Sequence, residues 1–216
     1  MNEDIKVLVI DDHPSFVEGV SLILQSIIPD ATILTALNGS AARNLLKQQP
    51  DIDWILLDIN LPDCSGLELI THFRKIKLIA NIVIITGADD PDIINQALTL
   101  HVNGFLTKDF DSKTLSECIN AIEHDRVFLT NKHASELKNY RESLLKEKQS
   151  IEQIISQRQR QTLVMIAKGY SNAEIAKSLD ISESTVKTHV SSLISLFEAD
   201  NRTHCVAEAR RLKVVA

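Results

Sequence analysis

The sequence predicts an α/β chain: a doubly wound, five-stranded parallel sheet, then a long linker helix, then an all-α end of four helices. Three observations carry this. Up to about Glu123, short apolar, β-branched runs alternate strictly with segments of helical period, the pattern of βαβ units on a parallel sheet. From about Thr130 to Gln153 glycine and proline vanish and Glu, Lys, Gln and Leu dominate, which favours one helix. From Ile155 to Leu212 short helical patterns follow one another between capping and stop residues.

The strands are read at Ile5–Ile10, Ala31–Ala36, Trp54–Leu57, Ile82–Ile85 and Gly104–Leu106, and the helices near Phe16–Ile27, Ser40–Gln48, Gly66–Lys75, Ile93–Leu100 and Thr114–Ile122. Val7-Leu8-Val9-Ile10 and Ile82-Val83-Ile84-Ile85 are apolar at every position, as strands covered on both faces are. Length and alternation together make the sheet flavodoxin-like, and such sheets bind ligands beyond the carboxyl ends of their strands. In the linker, Leu137, Leu144 and Ile151 recur every seven residues, with Tyr140 and Ile154 at a second seam position and Glu147 interrupting it. Two heptads leave open whether this helix pairs with a partner or only spaces the domains. Beyond it, Ser156 and Ser182 read as helix N-caps and Gly169 as a stop. Asn172–Leu179, the turn Asp180–Ser182 and Glu183–Phe197 form a helix-turn-helix, with Val186, Val190, Leu193 and Phe197 on one buried face. The expected domains are 1–125, a linker at 126–153, and 154–216.

Composition bounds the function. The chain has 216 residues, 44% hydrophobic and 24% charged, enough to bury a core and to rule out compositional disorder. The acidic start Met1-Asn2-Glu3-Asp4 lacks the basic and apolar regions of a signal peptide. No apolar run approaches the roughly 20 residues that span a bilayer. Cys64, Cys118 and Cys205 are odd in number and far apart, which points to a reducing, cytoplasmic setting rather than a disulfide framework. The net charge of −6 is uneven: from Ile155 onward nine Lys/Arg face six Asp/Glu, a net +3, which leaves fourteen against twenty-three, −9, for the rest. A basic end on an acidic chain suits a polyanion.

The acids mark a site. Asp11 and Asp12 follow the first strand and Asp58 the third, and these strands are neighbours in a doubly wound sheet, so the acids share one cleft. Clustered carboxylates repel unless a cation joins them. Mg2+ suits a few carboxylates plus a phosphate. The fourth strand ends at Thr86, a hydroxyl donor, and the fifth at Lys108, a cation able to reach the cleft. Asp58 is the better nucleophile candidate for an aspartyl phosphate, because Asp11 and Asp12 read as a metal pair. Lys108 and Mg2+ would then neutralise the phosphoryl oxygens, and Thr86 would bond to one of them. Asp-Asp after a strand is by itself only a turn or cap; the joint set carries the reading.

Val9-Ile10-Asp11-Asp12-His13, Leu57-Asp58-Ile59-Asn60-Leu61-Pro62-Asp63-Cys64-Ser65-Gly66, Thr86-Gly87-Ala88 and Gly104-Phe105-Leu106-Thr107-Lys108-Asp109 resemble the receiver domain of two-component response regulators, over residues 5–124. The resemblance implies that a sensor histidine kinase phosphorylates Asp58. It also implies that Asp11, Asp12, Asp58 and the backbone carbonyl of Asn60 hold Mg2+, and that Thr86 and Phe105 form a switch pair in which the ring turns inward.

On the predicted helix Glu183–Phe197, Ser184, Thr185, Lys187, Thr188, Ser191 and Ser192 lie off the apolar stripe. Lys187 can bond guanine or a phosphate, Ser and Thr either. Ser171 and Asn172 open the preceding helix, where backbone N–H groups favour a phosphate. Polarity alone leaves a protein-interaction module equally open. The segments Gly169-Tyr170-Ser171-Asn172-Ala173-Glu174-Ile175-Ala176 and Leu179-Asp180-Ile181-Ser182-Glu183-Ser184-Thr185-Val186-Lys187-Thr188-His189-Val190 resemble the LuxR-type DNA-binding domain, and the whole chain resembles the NarL/FixJ family. That implies double-stranded promoter DNA as partner, Lys187, Thr188 and Ser191 in the major groove, and a homodimer through the receiver, the linker helix or the last helix near Thr203–Arg211. The chain departs from the pattern at Gln159 and Gln161, where the family has acids, and at Leu196-Phe197-Glu198, where it has Lys-Leu-Gly. Ser191, Ser192 and Ser195 also replace basic or amide residues, so fewer counterions are released. A rival is a phosphatase of the haloacid dehalogenase type, but it needs an Asp two residues after the nucleophile, where Asn60 stands. An adaptor that binds other proteins is a second rival. The expected protein is thus a cytoplasmic bacterial regulator rather than an enzyme.

Overall fold

Side chains alternate across a strand, and here both faces are filled. The computed structural model describes residues 5–87 and 90–215. Met1–Asp4 and Ala88, the last residue of the Thr86-Gly87-Ala88 motif, therefore lie outside the described residues. Five strands, β1 (Lys6–Ile10), β2 (Thr32–Ala36), β3 (Trp54–Asp58), β4 (Asn81–Thr86) and β5 (Gly104–Thr107), form one parallel sheet in the order β2-β1-β3-β4-β5. Leu8, Ile10, Ile55, Leu57, Ile82 and Ile84 point to one side and pack on α2 (Gly39–Gln48), α3 (Gly66–Lys75) and α4 (Pro91–Thr99). Val7, Val9, Leu56, Val83 and Ile85 point to the other and pack on α1 (Pro14–Ile27) and α5 (Ser112–Glu123). Most of these are fully buried, each worth roughly 1.5–3 kcal/mol. The strand order turns back between β1 and β3, so the ends of those strands flank the cleft where such sheets take ligands.

Helices α1, α2, α4 and α5 start earlier than the apolar pattern suggests, because the first turn is set by caps rather than by burial, while α3 starts at Gly66 as expected. Pro14 and Pro91 begin α1 and α4, and Asn38, Ser65, Asp90 and Asp111 cap α2 to α5 with side-chain oxygens. Gly66 is required by contact. A Cβ there would stand 2.8 Å from both the Asp58 carbonyl oxygen and Ile59 Cα, so only glycine lets α3 begin this close to the end of β3.

The chain divides into two compact units, up to Lys138 and from Asn139. In the first, the segment after α5 runs beside β5: Phe105 N donates to Phe128 O at 3.0 Å and Phe128 N to Asn103 O at 2.9 Å. Helix α6 (Asn131–Ile154) then places His133, 0% exposed, and Leu137, 5% exposed, in this unit. Leu137 joins the core on the α2–α4 side. In the second unit, Leu144 and Ile151 of α6 pack with α7 (Gln157–Ala167), α8 (Asn172–Leu179), α9 (Glu183–Leu196) and α10 (Arg202–Arg211). The seven-residue spacing, which left a partner seam and a plain spacer both open, packs inside the chain at all three positions. An apolar stripe is satisfied by any apolar neighbour, and the chain supplies its own.

The caps of the second unit match the reading. Ser156 caps α7 in a capping box with Gln159, one of the two positions that depart from the family pattern. Ser182 caps α9, and Gly169 takes φ +88° after α7. Just past α9, where the resembled family carries glycine, Glu198 adopts φ +49°, a left-handed backbone that strains any side chain.

Candidate functional site

Four strand ends converge as the sequence suggested. Asp11 follows β1, Asp58 ends β3, Thr86 ends β4, and Lys108 follows β5, its N–H donating to Thr86 O at 3.2 Å. Lys108 Nζ lies 2.7 Å from Asp11 Oδ2 and 2.7 Å from Asp58 Oδ2. Asp11 is 1% exposed, Asp58 3% and Thr86 2%. Asp58 is thus not the open surface carboxylate that an attacking acid suggests; it lies on the floor of the cleft beneath the lysine. Its other oxygen accepts from Asn60 N at 3.1 Å. Burial works against the Lys108 ammonium, yet the bonds to Asp11 and Asp58 outweigh it and hold its pKa above the ordinary lysine value.

Asp12 and His13 complete the rim. His13 Nδ1 lies 2.8 Å from Asp12 Oδ1 and 3.0 Å from Asp11 Oδ1, and His13 N donates to Asp11 Oδ1 at 2.8 Å. Asp11, Asp12, His13 and Asp58 each bring a ligand atom within 4.8 Å of the others. Asp11 Oδ2 and Asp12 Oδ1 are buried without a well-formed hydrogen bond; the groups beside them are the cations Lys108 and, when protonated, His13. Buried carboxylate oxygens left in that state, in a cluster rich in oxygen donors, fit a hard divalent ion such as Mg2+.

Phe105 of the expected switch pair is 0% exposed, its ring edge-on to His133 at 6.5 Å between centroids. Two aromatic residues on this side of the cleft, one against Lys108 and one against the first, escaped the sequence reading. The Phe16 ring lies 5.0 Å beneath the Lys108 ammonium, and Phe110 meets Phe16 edge-on at 6.3 Å. The signal was available: Phe16 stands one helical turn after Asp12, and Phe110 two residues after Lys108.

In the second unit Ser184, Thr185, Lys187, Thr188, Ser191 and Ser192 are all exposed on α9, opposite buried Val186 and Leu193. Thr185 N is capped by Ser182 Oγ, and Thr188 Oγ1 donates back to Ser184 O. Asp180, in the turn, takes a left-handed φ of +52°. At the start of α8, Ser171 N and Oγ both donate to Glu174 Oε2 at 2.7 Å, and these bonds hold Glu174 below the usual carboxylate range. At the expected phosphate seat the Ser171 N–H and hydroxyl are thus engaged by Glu174. Asn172 Oδ1 accepts from Arg202 Nη1 at 2.9 Å, and Arg202 Nη2 donates to Tyr170 O, so α10 braces this end of α8. Among the described residues no helix is long and apolar enough to cross a membrane.

Comparison with known proteins follows the same division. Residues 7–120 match the family described as response regulator receiver domain, and residues 153–209 match bacterial regulatory proteins, luxR family. The glycerol metabolism activator of Pseudomonas putida is 29% identical over 215 residues, 94% of either chain. The nitrate/nitrite response regulator protein NarL of Escherichia coli strain K12 is 30% identical over 203 residues, 93% of this chain and 92% of that one. A crystal structure of ChrA, the response regulator of a heme-sensing two-component system, is similar at 28% identity with a TM-score of 0.51, covering 98% of this chain and 99% of ChrA.

Proposed function

Because this chain belongs to the response regulators that join a receiver domain to a LuxR-type DNA-binding domain, we propose that phosphorylation of Asp58 by a sensor histidine kinase controls its dimerisation and its sequence-specific binding to promoter DNA. The family is one of transcription regulators. In this reading 1–125 is the receiver, 126–153 the linker and 154–216 the DNA-binding domain, working in the bacterial cytoplasm. The observation that supports it most is the single ammonium of Lys108 bridging two buried carboxylates from different strand ends at 2.7 Å each.

The P–N bond of a phosphohistidine breaks as an Asp58 oxygen forms an O–P bond, and the imidazole leaves with the electron pair. Lys108 turns its ammonium to the phosphoryl oxygens and Thr86 donates its hydroxyl to another, both already placed at strand ends. Asp11, Asp12, Asp58 and the carbonyl of Asn60 would hold Mg2+, which when bound spreads the charge of the transferring group. Water later attacks phosphorus and returns Asp58 and inorganic phosphate, so the chain is a phosphoacceptor with at most self-dephosphorylation.

Phe105 is the switch partner of Thr86 in this reading, and its outer neighbour is His133. A shift of the ring therefore reaches the start of α6 directly, as well as the surface of α4 and α5. Leu137 and Ile151 are buried and Leu144 partly buried inside the chain, while Leu145 and Ile154 of α6 stay exposed, so the receiver, the linker helix and α10 are the surfaces for a homodimer. On DNA, Lys187, Thr188 and Ser191 would enter the major groove, with Ser184, Thr185, Ser171 and Asn172 toward the backbone. Asp58→Asn tests the core of the reading: acid-labile phosphate labelling should vanish, and undiminished labelling would refute it.

A further inference from the structure

The geometry points to Phe16 as a positioning residue for Lys108, an aromatic seat that holds the ammonium in place while its carboxylate partners change. The inference rests on the phosphoacceptor reading above. Among the described residues, Lys108 Nζ has Asp11 Oδ2 and Asp58 Oδ2 at 2.7 Å, His13 Nδ1 at 3.5 Å, and the Phe16 ring with its centroid at 5.0 Å. Three of these are polar groups of the reacting cleft. Asp58 changes from a free carboxylate to an acyl phosphate, and Asp11 is placed to ligate a cation, so neither can fix the lysine throughout the cycle.

Phe16 takes no part in those exchanges. An ammonium within about 6 Å of a ring face is attracted by the ring's negative quadrupole. A ring face also accepts no conventional hydrogen bond, so the three N–H donors of Lys108 stay free for oxygens. The seat is itself fixed. Phe16 is on the first turn of α1, half-buried against the α1–α5 side of the core, and Phe110 meets it edge-on at 89°, a favoured aromatic arrangement. Phe110 N donates to Thr107 O at 3.1 Å, so the short turn that delivers Lys108 also delivers the prop for its seat. A lysine stem is long and flexible and loses rotamer freedom when held; a seat that restricts it beforehand shortens the search for the phosphoryl oxygens.

The test is a double-mutant cycle on the full chain, with Asp58 phosphorylation by acetyl phosphate in Mg2+ as the rate. Phe16→Leu, which keeps the apolar volume, should slow phosphorylation about 2- to 5-fold, and Phe16→Trp should restore it. In a Lys108→Met background Phe16→Leu should have no further effect. An equal loss in both backgrounds, or no loss in either, would mean the ring merely packs, and the inference falls. Proton NMR of the unmodified chain gives a second arm that needs neither phosphorylation nor a folded variant. The Lys108 ε-methylene protons should be shifted upfield by the Phe16 ring current, and unshifted resonances overturn the seat. Should the unmodified chain take no phosphate on Asp58, the reading of the site fails, while the NMR arm still decides whether the seat exists.

Discussion

Lys108→Met isolates what the cleft costs without its lysine. Nζ is 2.7 Å from an oxygen of each of two buried carboxylates, and at an effective dielectric near 20 each contact is worth roughly 6 kcal/mol before desolvation is subtracted. Removing one partner of a buried ion pair costs about 3–5 kcal/mol, because the charge left behind is uncompensated. The Lys108 side chain keeps 25% of its surface in water, so solvent enters easily and the lower end, about 3 kcal/mol, is expected. Urea unfolding followed by fluorescence reports this unit alone, since Trp54 is the single tryptophan, is 7% exposed and lies in β3. Mg2+ at a hundred times its dissociation constant should return about 2.7 kcal/mol to the variant. The pH dependence has a fixed sign. Lys108 is raised above its ordinary value of 10.5 in the folded chain, so its stabilisation is fully present below that value and is lost as pH rises through the folded one. The gap between wild type and variant should therefore be flat from pH 7 to 9 and close in strong alkali. A gap at pH 7 in chelator of less than about 0.5 kcal/mol, the scale of an ordinary surface substitution, would refute the account of the cleft.

Three further predictions follow from single positions. Gly66→Ala pushes a methyl group against the Asp58 carbonyl and Ile59 Cα; it should destabilise the first unit by about 1–3 kcal/mol and slow labelling of Asp58, whereas an unchanged Trp54 melt would mean α3 simply slides away. Glu198→Gly relieves a left-handed backbone with φ +49° and should stabilise the second unit by about 1 kcal/mol in a circular-dichroism melt; a lower melting temperature contradicts it. Lys187→Ala should weaken binding to the operator by about 1–3 kcal/mol if the side chain reads a base, or lower the salt slope by about 1 if it contacts a phosphate. An isotherm and a salt slope that both stay put would remove it from the contact surface.

Much of the site was legible because each of its residues stands where one local pattern gives way to another. Asp11, Asp58, Thr86 and Lys108 all sit at the point where a β-branched apolar run stops, and in a parallel sheet those points share one edge. The caps were legible for the same reason: Ser156 and Ser182 act on backbone N–H groups three residues away. Glu174 stands three residues after Ser171, the position of a capping-box partner, and a phosphate seat at the start of α8 leaves that partner out of account. The box closes on Ser171 from within the helix.

The order of strands and helices, the faces they bury and the residues that gather at the strand ends were determined by the sequence alone, because steric preference and side-chain period act over a few neighbouring residues. What meets across the chain was decided only by tertiary structure. Leu137, Leu144 and Ile151 repeat in the same way whether their neighbour is a second helix or the chain's own core, and the period cannot tell these apart. Phe16 and Lys108 are distant in sequence, so their contact depends on how α1 and the turn after β5 pack on one sheet. No local rule carries that distance.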